Sequence, residues 1–262
     1  MPDNGNIKKI VLVGAGNLAT RLGLELAKHG CGIVQVYSRT EASAARLAGV
    51  LGTSYTTRFS DIREGQDLYI FALKDDVLPE AVSGTRYSGG LWVHTAGSVD
   101  MDIFQGYAGR YGVFYPLQSF SKTRAFDFSK VPVFVEANNK EDILLLEQLG
   151  RLISEKVIPM NSEKRRRLHL AAVFASNFTN HLYTLAFGIL EKEGIDGALL
   201  LPLMEETTAK AHAMHPFDAQ TGPALRNDTE ILSKHLSLID DKELRDIYKM
   251  LSKHIQKTHR HE

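Results

Sequence analysis

Ile10-Val11-Leu12-Val13-Gly14-Ala15-Gly16-Asn17-Leu18-Ala19 is the stretch that decides the fold. Four consecutive apolar residues, most of them β-branched, suit a strand buried on both faces. The turn that follows has the pattern G-x-G-x-x-A and runs directly into an amphipathic helix signal over 18–29. The first glycine permits the tight turn, the second lets backbone approach a pyrophosphate, and the small third residue lets helix pack on strand. A helix start there adds free N–H groups and the positive end of the helix dipole. Gly14, Gly16, Asn17, Leu18 and Ala19 are therefore candidate cofactor-binding residues. A bare glycine-rich turn, or the similar turn of flavoproteins and some methyltransferases, is the competing reading. The order strand, turn, helix, strand favours a dinucleotide.

Outward from this turn the first part of the chain alternates short β-branched runs with helical segments. Strand signals fall at 33–37, 54–57, 68–73, 91–94, 112–115 and 131–135, with an alanine-rich helix over 41–51. That alternation predicts an α/β fold: a doubly wound, mostly parallel sheet with helices on both faces and right-handed crossovers. From Ser162 the strand signal stops, and one long helix is expected over 162–192 with Ser162 as its cap. Its apolar positions recur at Leu168, Ala172, Ala175, Phe178, Leu182, Leu185 and Ile189, while Leu170, Phe174 and Phe187 lie outside that stripe. A helix apolar on more than one side needs neighbours, from its own chain or from a second subunit. Further helices are expected over 197–214, 228–236 and 240–255, with Asp240 and Glu243 in capping-box spacing. The expected division is a dinucleotide-binding domain over 1–155 and an all-helical domain over 156–262.

Composition narrows the partners. The 31 Lys+Arg balance the 31 Asp+Glu, which removes the electrostatic case for nucleic acid or an anionic membrane. The run Lys164-Arg165-Arg166-Arg167 reads as a solvated helix start. Cys31 is the single cysteine, so neither an internal disulfide nor a multi-thiolate zinc site can form, and a reducing compartment is expected. The polar start 1–6 lacks the features of a signal peptide, and no apolar run approaches the ~20 residues that cross a bilayer. A soluble, cytoplasmic protein is the expectation. His212 and His215 form at most half of a metal site, and Pro216 ends their helix, so no metal is expected.

The second strand separates NAD from NADP. An NAD site places an acid at its end, whereas this chain reads Tyr37-Ser38-Arg39-Thr40. Arg39 offers a guanidinium to a 2′-phosphate, with hydroxyls from Ser38 and Thr40, so NADP(H) is the expected cofactor. An ordinary solvated Arg39 with Glu41 as a displaced acid is the alternative. Ala72 and Leu73 suit a wall beside a nicotinamide ribose, Asp75 or Asp76 can cap the next helix, and Pro79 fits its first turn. Thr95 and Ala96 lie in the small loop His94-Thr95-Ala96-Gly97-Ser98, and Gln118 and Ser119 follow the sixth strand as candidate substrate contacts.

These motifs resemble a family. The 14–19 turn, the 72–76 loop, His94 to Gly97 and Tyr115 to Ser119 look like the Rossmann domain of pyrroline-5-carboxylate reductase-like NADP oxidoreductases. The second half resembles the helical domain of an uncharacterised subgroup, related to the C-terminal domain of 6-phosphogluconate dehydrogenase. It does so through His169-x-Ala171-Ala172-Val173-Phe174-Ala175-Ser176-Asn177 and Thr221-Gly222-Pro223-Ala224-Leu225-Arg226-Asn227-Asp228. The resemblance implies an NADP-type cofactor, a small-molecule substrate in a cleft between the domains, and a homodimer through the helical domain.

A nicotinamide cofactor carries the hydride, so the protein must orient a carbonyl or imine and manage one proton. Related hydroxyacid dehydrogenases place a Lys four residues before an Asn; Val173 stands there relative to Asn177, against hydroxyacid chemistry. His169 lies eight residues before Asn177 on the same predicted helix. His169 can give or take a proton near neutral pH, and Asn177 can bond a substrate oxygen; these are the candidate catalytic residues. Ser176 and Thr221 are candidate substrate contacts, and Asp228 a candidate cap. A hydrogen-bonded structural histidine and a structural turn at Thr221 are the plainer readings. The function expected is an NADP(H)-dependent oxidoreductase of a small carbonyl or imine compound. The alternative is a non-catalytic, redox-sensing dinucleotide-binding protein, with a flavin or deazaflavin oxidoreductase as a third option.

Overall fold

The computed structural model describes residues 7–86, 89–121 and 126–259. The polar start 1–6 lies outside the described residues. The chain forms two compact units, Met1–Ser176 and Asn177–Glu262, so the division falls later than residue 155. The physical reason is that the first long helix packs on the sheet of the first unit.

Every residue of β4 (Leu68–Phe71) and β5 (Leu91–His94) is buried, as a parallel sheet covered on both faces requires. With β1 (Lys9–Val13), β2 (Gly32–Tyr37), β3 (Ser54–Thr56), β6 (Tyr111–Pro116), β7 (Val133–Ala137) and β8 (Val157–Pro159), they form one sheet in the order β3-β2-β1-β4-β5-β6-β7-β8. All neighbours are parallel except β6 and β7, which pair antiparallel with Tyr115 opposite Phe134 and Val113 opposite Glu136. β8 carries no strand signal of its own: three residues ending in a proline give no pattern, and pairing with β7 creates the strand.

α1 (Asn17–Lys28), α2 (Glu41–Leu51) and α4 (Lys140–Arg151) cover one face, where Leu22, Leu26, Leu47, Leu146 and Leu149 join Ile10, Leu12 and Phe114 in the larger core. On the other face α3 (Leu78–Gly84) and a 3-10 turn (Met101–Phe104) close over Val11, Val13, Tyr69, Phe71 and Trp92. That second layer continues onto Val113, Tyr115 and Phe134, against which pack Met160, just after β8, and Leu168 of α5 (Ser162–Ala172). α3 carries Pro79 in its first turn, as expected.

Three expected caps are corrected. Asn161, not Ser162, caps α5 by accepting from Lys164 N, because Ser162 is already bonded to Glu136. α3 has no side-chain cap: Asp75 is engaged by the Ser98 hydroxyl instead, which ties the loop after β4 to the loop after β5. α9 (Lys242–Thr258) is capped by Asp241, one residue after the expected Asp240. Asp228 does cap α8 (Thr229–Ser237).

The helix expected over 162–192 is helical throughout, but a π segment (Val173–Phe178) separates α5 from α6 (Thr179–Lys192). The division between the two units falls inside that segment. α7 (Leu201–Ala213) follows a 3-10 turn. In the second unit none of the side chains of α6 to α9 is buried, and Leu199, Leu203, Leu238 and Met250 are largely exposed. Among the described residues no helix is long and apolar enough to cross a membrane.

Candidate functional site

In an open sheet of strand order 3-2-1-4-5-6, ligands lie beyond the carboxyl ends of the strands at the point where the order reverses, here between β1 and β4. The backbone stitches that edge together. Gly14 N donates to Tyr37 O at 2.9 Å, Ala72 N to Val13 O at 2.9 Å, and Thr95 N to Phe71 O at 3.2 Å. Gly14, Ser38, Ala72 and Thr95 therefore stand in one row. Gly14 has φ +134°, and a Cβ there would run into the Ala72 carbonyl, so glycine is required both by conformation and by close approach.

The row fits the phosphates of a dinucleotide. A Cβ on Gly16 would meet nothing within 4 Å, so the backbone is open to approach at the position that needs it. Gly16 starts α1 without a side-chain cap, and no acid lies in the first turn, so the N–H groups and the dipole of that helix are available to an anion. Ala19 is fully buried and Gly23 brings α1 against Leu12, which holds the helix close to the strand. Asn17 uses its side chain differently: Nδ2 donates to Phe120 O at 2.9 Å, beside Arg21, whose Nε reaches Ser121 O at 2.8 Å. Leu18 packs partly into the core. Arg39 and Thr40 are exposed at the end of β2, Ser38 N is held by Thr56 O at 3.2 Å, and Glu41 accepts from Tyr55.

β5 ends in a loop shaped by His94, which is fully buried. Its Nδ1 accepts from Ala96 N at 3.1 Å, so Nε2 carries the proton and donates to Asp100 O at 3.3 Å. Burial, helped by the Arg165 charge, drives the imidazole pKa down to about 3, so His94 is neutral and committed to the loop. Thr95 and Ala96 are buried there.

Arg165 is where the sequence reading is overturned. It is fully buried, not a solvated charge, because two distant segments and the first turn of its own helix supply its acceptors. Its guanidinium binds Glu136 and Val99 O and donates to Ser162 Oγ at 2.9 Å; Ser162 N and Oγ in turn reach Glu136 at 2.8 and 2.7 Å. This knot fixes α5 on the sheet opposite Val113. Four residues on, about 6 Å along the helix, comes His169, and two residues on along β6, about 6.6 Å, comes Tyr115. The two meet: Tyr115 Oη lies 3.0 Å from His169 Nδ1, with the rings edge-on. His169 also rests on the loop after β5, where a Cβ on Gly97 would sit 2.5 Å from Nδ1.

Sequence reasoning named His169 but missed Tyr115, Arg165, Glu136, His94 and Gly97. One signal was present: Glu136 is an acid inside the apolar run of β7, which calls for a buried partner. Gln118 and Ser119 follow β6 and are exposed, Gln118 Oε1 accepting from Ser119 N at 2.8 Å. Ser176 ends the first unit, and Asn177 and Thr221 belong to the second; all three are exposed. Among the described residues no cluster of His, Cys, Asp and Glu could hold a metal ion.

Residues 9–93 match the family described as NADP oxidoreductase, coenzyme F420-dependent, and residues 131–255 match a domain of unknown function, DUF2520. No curated protein matches the chain. A crystal structure of a provisionally named NADP oxidoreductase from Bacteroides fragilis is 44% identical, covering 97% of this chain and all (100%) of its own, with a TM-score of 0.89. A protein of Thermotoga maritima shares the fold at 24% identity, covering 95% of this chain and 99% of that one with a TM-score of 0.76. The pyrroline-5-carboxylate reductase of Streptococcus pyogenes shares it at 14% identity, 96% and 98% coverage and a TM-score of 0.64. With the glycine turn, the edge row and these matches together, the chain belongs to the NADP oxidoreductases, with a first half of the coenzyme F420-dependent NADP oxidoreductase type and a second half that is the DUF2520 domain.

Proposed function

We propose that the protein is an NADP(H)-dependent oxidoreductase of a small carbonyl or imine compound. The observation that carries this reading is the placement of His169 against Gly97, at the same sheet edge as the uncapped glycine turn. The nicotinamide, when bound, supplies or takes the hydride. What remains for the chain is to hold the reacting carbon at that edge and to move one proton at the oxygen or nitrogen beside it. His169 is the group for the proton, since Nε2 has no protein partner among the described residues. Thr95, Ala96, Ala72 and Leu73 wall the cofactor ring. Arg39, exposed at the end of β2 without an acid in the ribose position, selects the 2′-phosphate, with Ser38 and Thr40 beside it. Gln118, Ser119, Ser176, Asn177 and Thr221 are the proposed substrate contacts.

The second unit is proposed to pair with a second copy of this chain. Helices α6 to α9 bury none of their side chains, so that unit has almost no core of its own. A second copy is a partner present at equal concentration that can bury the same patch twice across a two-fold axis. Sedimentation should give a dimer, and Leu203→Glu should weaken it.

The test of function is a fluorescence titration followed by turnover. NADPH should bind more tightly than NADH, and Arg39→Ala should weaken NADPH selectively. Turnover of a member of a carbonyl and imine panel should be lost in His169→Gln. Equal affinity for the two cofactors would remove the Arg39 argument, and full turnover in His169→Gln would remove the histidine.

A further inference from the structure

We propose that Tyr115 is a positioning residue that holds His169 in the tautomer with its proton on Nε2, so that the histidine meets its substrate as an N–H donor. The inference rests on the reading of His169 above, but it concerns a different residue and a property that can be measured without turnover. The histidine's Nδ1 lies 3.0 Å from Tyr115 Oη, whereas Nε2 has no partner among the described residues.

Which atom donates follows from what each arrangement leaves unpaired. Tyr115 is 7% exposed, and its hydroxyl has no partner among the described residues besides His169. If the phenol donates to Nδ1, the buried O–H is satisfied and the imidazole proton sits on Nε2. If Nδ1 carries the proton and donates to the phenol oxygen, the Tyr115 O–H is left buried and unpaired. An unmade buried hydrogen bond of this kind shifts the tautomer ratio by roughly tenfold or more. Burial pushes the Tyr115 pKa up to about 12, with Arg165 opposing and Asp75 adding, so the phenol keeps its proton at neutral pH.

The surroundings keep this pair in register. Gly97 backs the histidine ring so closely that a Cβ would lie 2.5 Å from Nδ1 and 2.6 Å from Cγ. Phe134 and Leu168 pack around Tyr115. The knot of Arg165, Glu136 and Ser162 fixes the preceding turn of α5. When His169 is neutral its single N–H points away from Tyr115, and when it is charged Nε2 still carries a proton. In both states the free nitrogen is a donor suited to a carbonyl oxygen or an imine nitrogen.

The experiment is long-range 1H–15N NMR of the full chain labelled at histidine, at a pH where His169 is neutral, with its ring assigned by loss of the signal in His169→Gln. The wild type should show Nδ1 unprotonated and Nε2 protonated. Tyr115→Phe should shift the tautomer ratio by roughly tenfold or more. Phe134→Leu, which loosens the packing but leaves the hydroxyl, should not shift it. In turnover, Tyr115→Phe should lower kcat with KM and NADPH affinity within about twofold. A proton on Nδ1 in the wild type overturns the proposal even if Tyr115→Phe does not fold. So does an unchanged ratio in Tyr115→Phe, or an equal shift in Phe134→Leu. Full turnover in His169→Gln would instead sink the function assigned to the histidine while leaving the tautomer result standing.

Discussion

Arg165→Met removes a buried charge while keeping most of the side-chain stem. Glu136, whose side chain is 12% exposed, then keeps its two donors from Ser162 but loses its counter-charge. Val99 O and Ser162 Oγ each lose a donor as well. Removing one member of a buried ion pair costs about 3–5 kcal/mol, because the other charge is left uncompensated. One offset is visible: Arg165 Nε is buried without a partner, and the substitution removes that unpaired group. The expected cost is therefore near the lower limit, about 3 kcal/mol. Glu136→Gln alone should cost about the same, since it strands the guanidinium. The double variant should cost about 3 kcal/mol too, not the ~6 that independent effects would add to, a coupling of about 3 kcal/mol. Urea unfolding followed by fluorescence measures this in the right part of the molecule, since Trp92 is the only tryptophan and is fully buried in the first unit. A single-variant cost below about 1 kcal/mol, or an additive double variant, would refute the view that the knot is a closed buried pair.

Three further outcomes are expected. Gly14→Ala must hold an alanine at φ +134° and drive a Cβ into the Ala72 carbonyl, so it should cost at least about 1–3 kcal/mol and abolish NADPH binding by fluorescence. Gly97→Ala pushes the histidine ring off its seat, so kcat should fall with NADPH affinity unchanged; an unaltered kcat would show that the seat is unimportant. The His94 pKa is depressed from 6.5 to about 3 by burial and then by Arg165, so the unfolded chain binds its proton first as the pH falls. The stability it contributes is complete above 6.5 and is lost toward pH 3, about 2 kcal/mol by pH 5. His94→Gln should flatten the pH dependence of the urea midpoint by that amount; an unchanged slope would contradict the assignment.

What could be read in advance was what is encoded locally. The glycine turn needs only ten consecutive residues, and its strand, helix and small third residue all stand where expected. The helical second half was legible from periodicity alone. What could not be read depends on partners far along the chain. Arg165 sits in a run of four basic residues, and only acceptors 29 and 66 residues away make it a buried one. Tyr115 looked like one more apolar strand residue, since the histidine it meets lies 54 positions on. Asp75 looked like a cap until Ser98, 23 residues later, claimed it. The antiparallel turn between β6 and β7 has the same cause, since strand direction is set by how the chain returns and not by the strand's own residues.

The sequence distance that hid Arg165 also orders assembly on the ribosome. The glycine turn is framed by β1, α1, β2 and β4, so its last support, Ala72, emerges early. His169 takes its seat only after residue 165 has been synthesised and has closed the 66-residue loop back to Val99. A nascent chain thus completes the glycine turn and its support at Ala72 about a third of its length before the residue proposed to use the bound dinucleotide. Cofactor present during synthesis can act as a template for the first strands, and the reactive edge is the part of this unit that forms last.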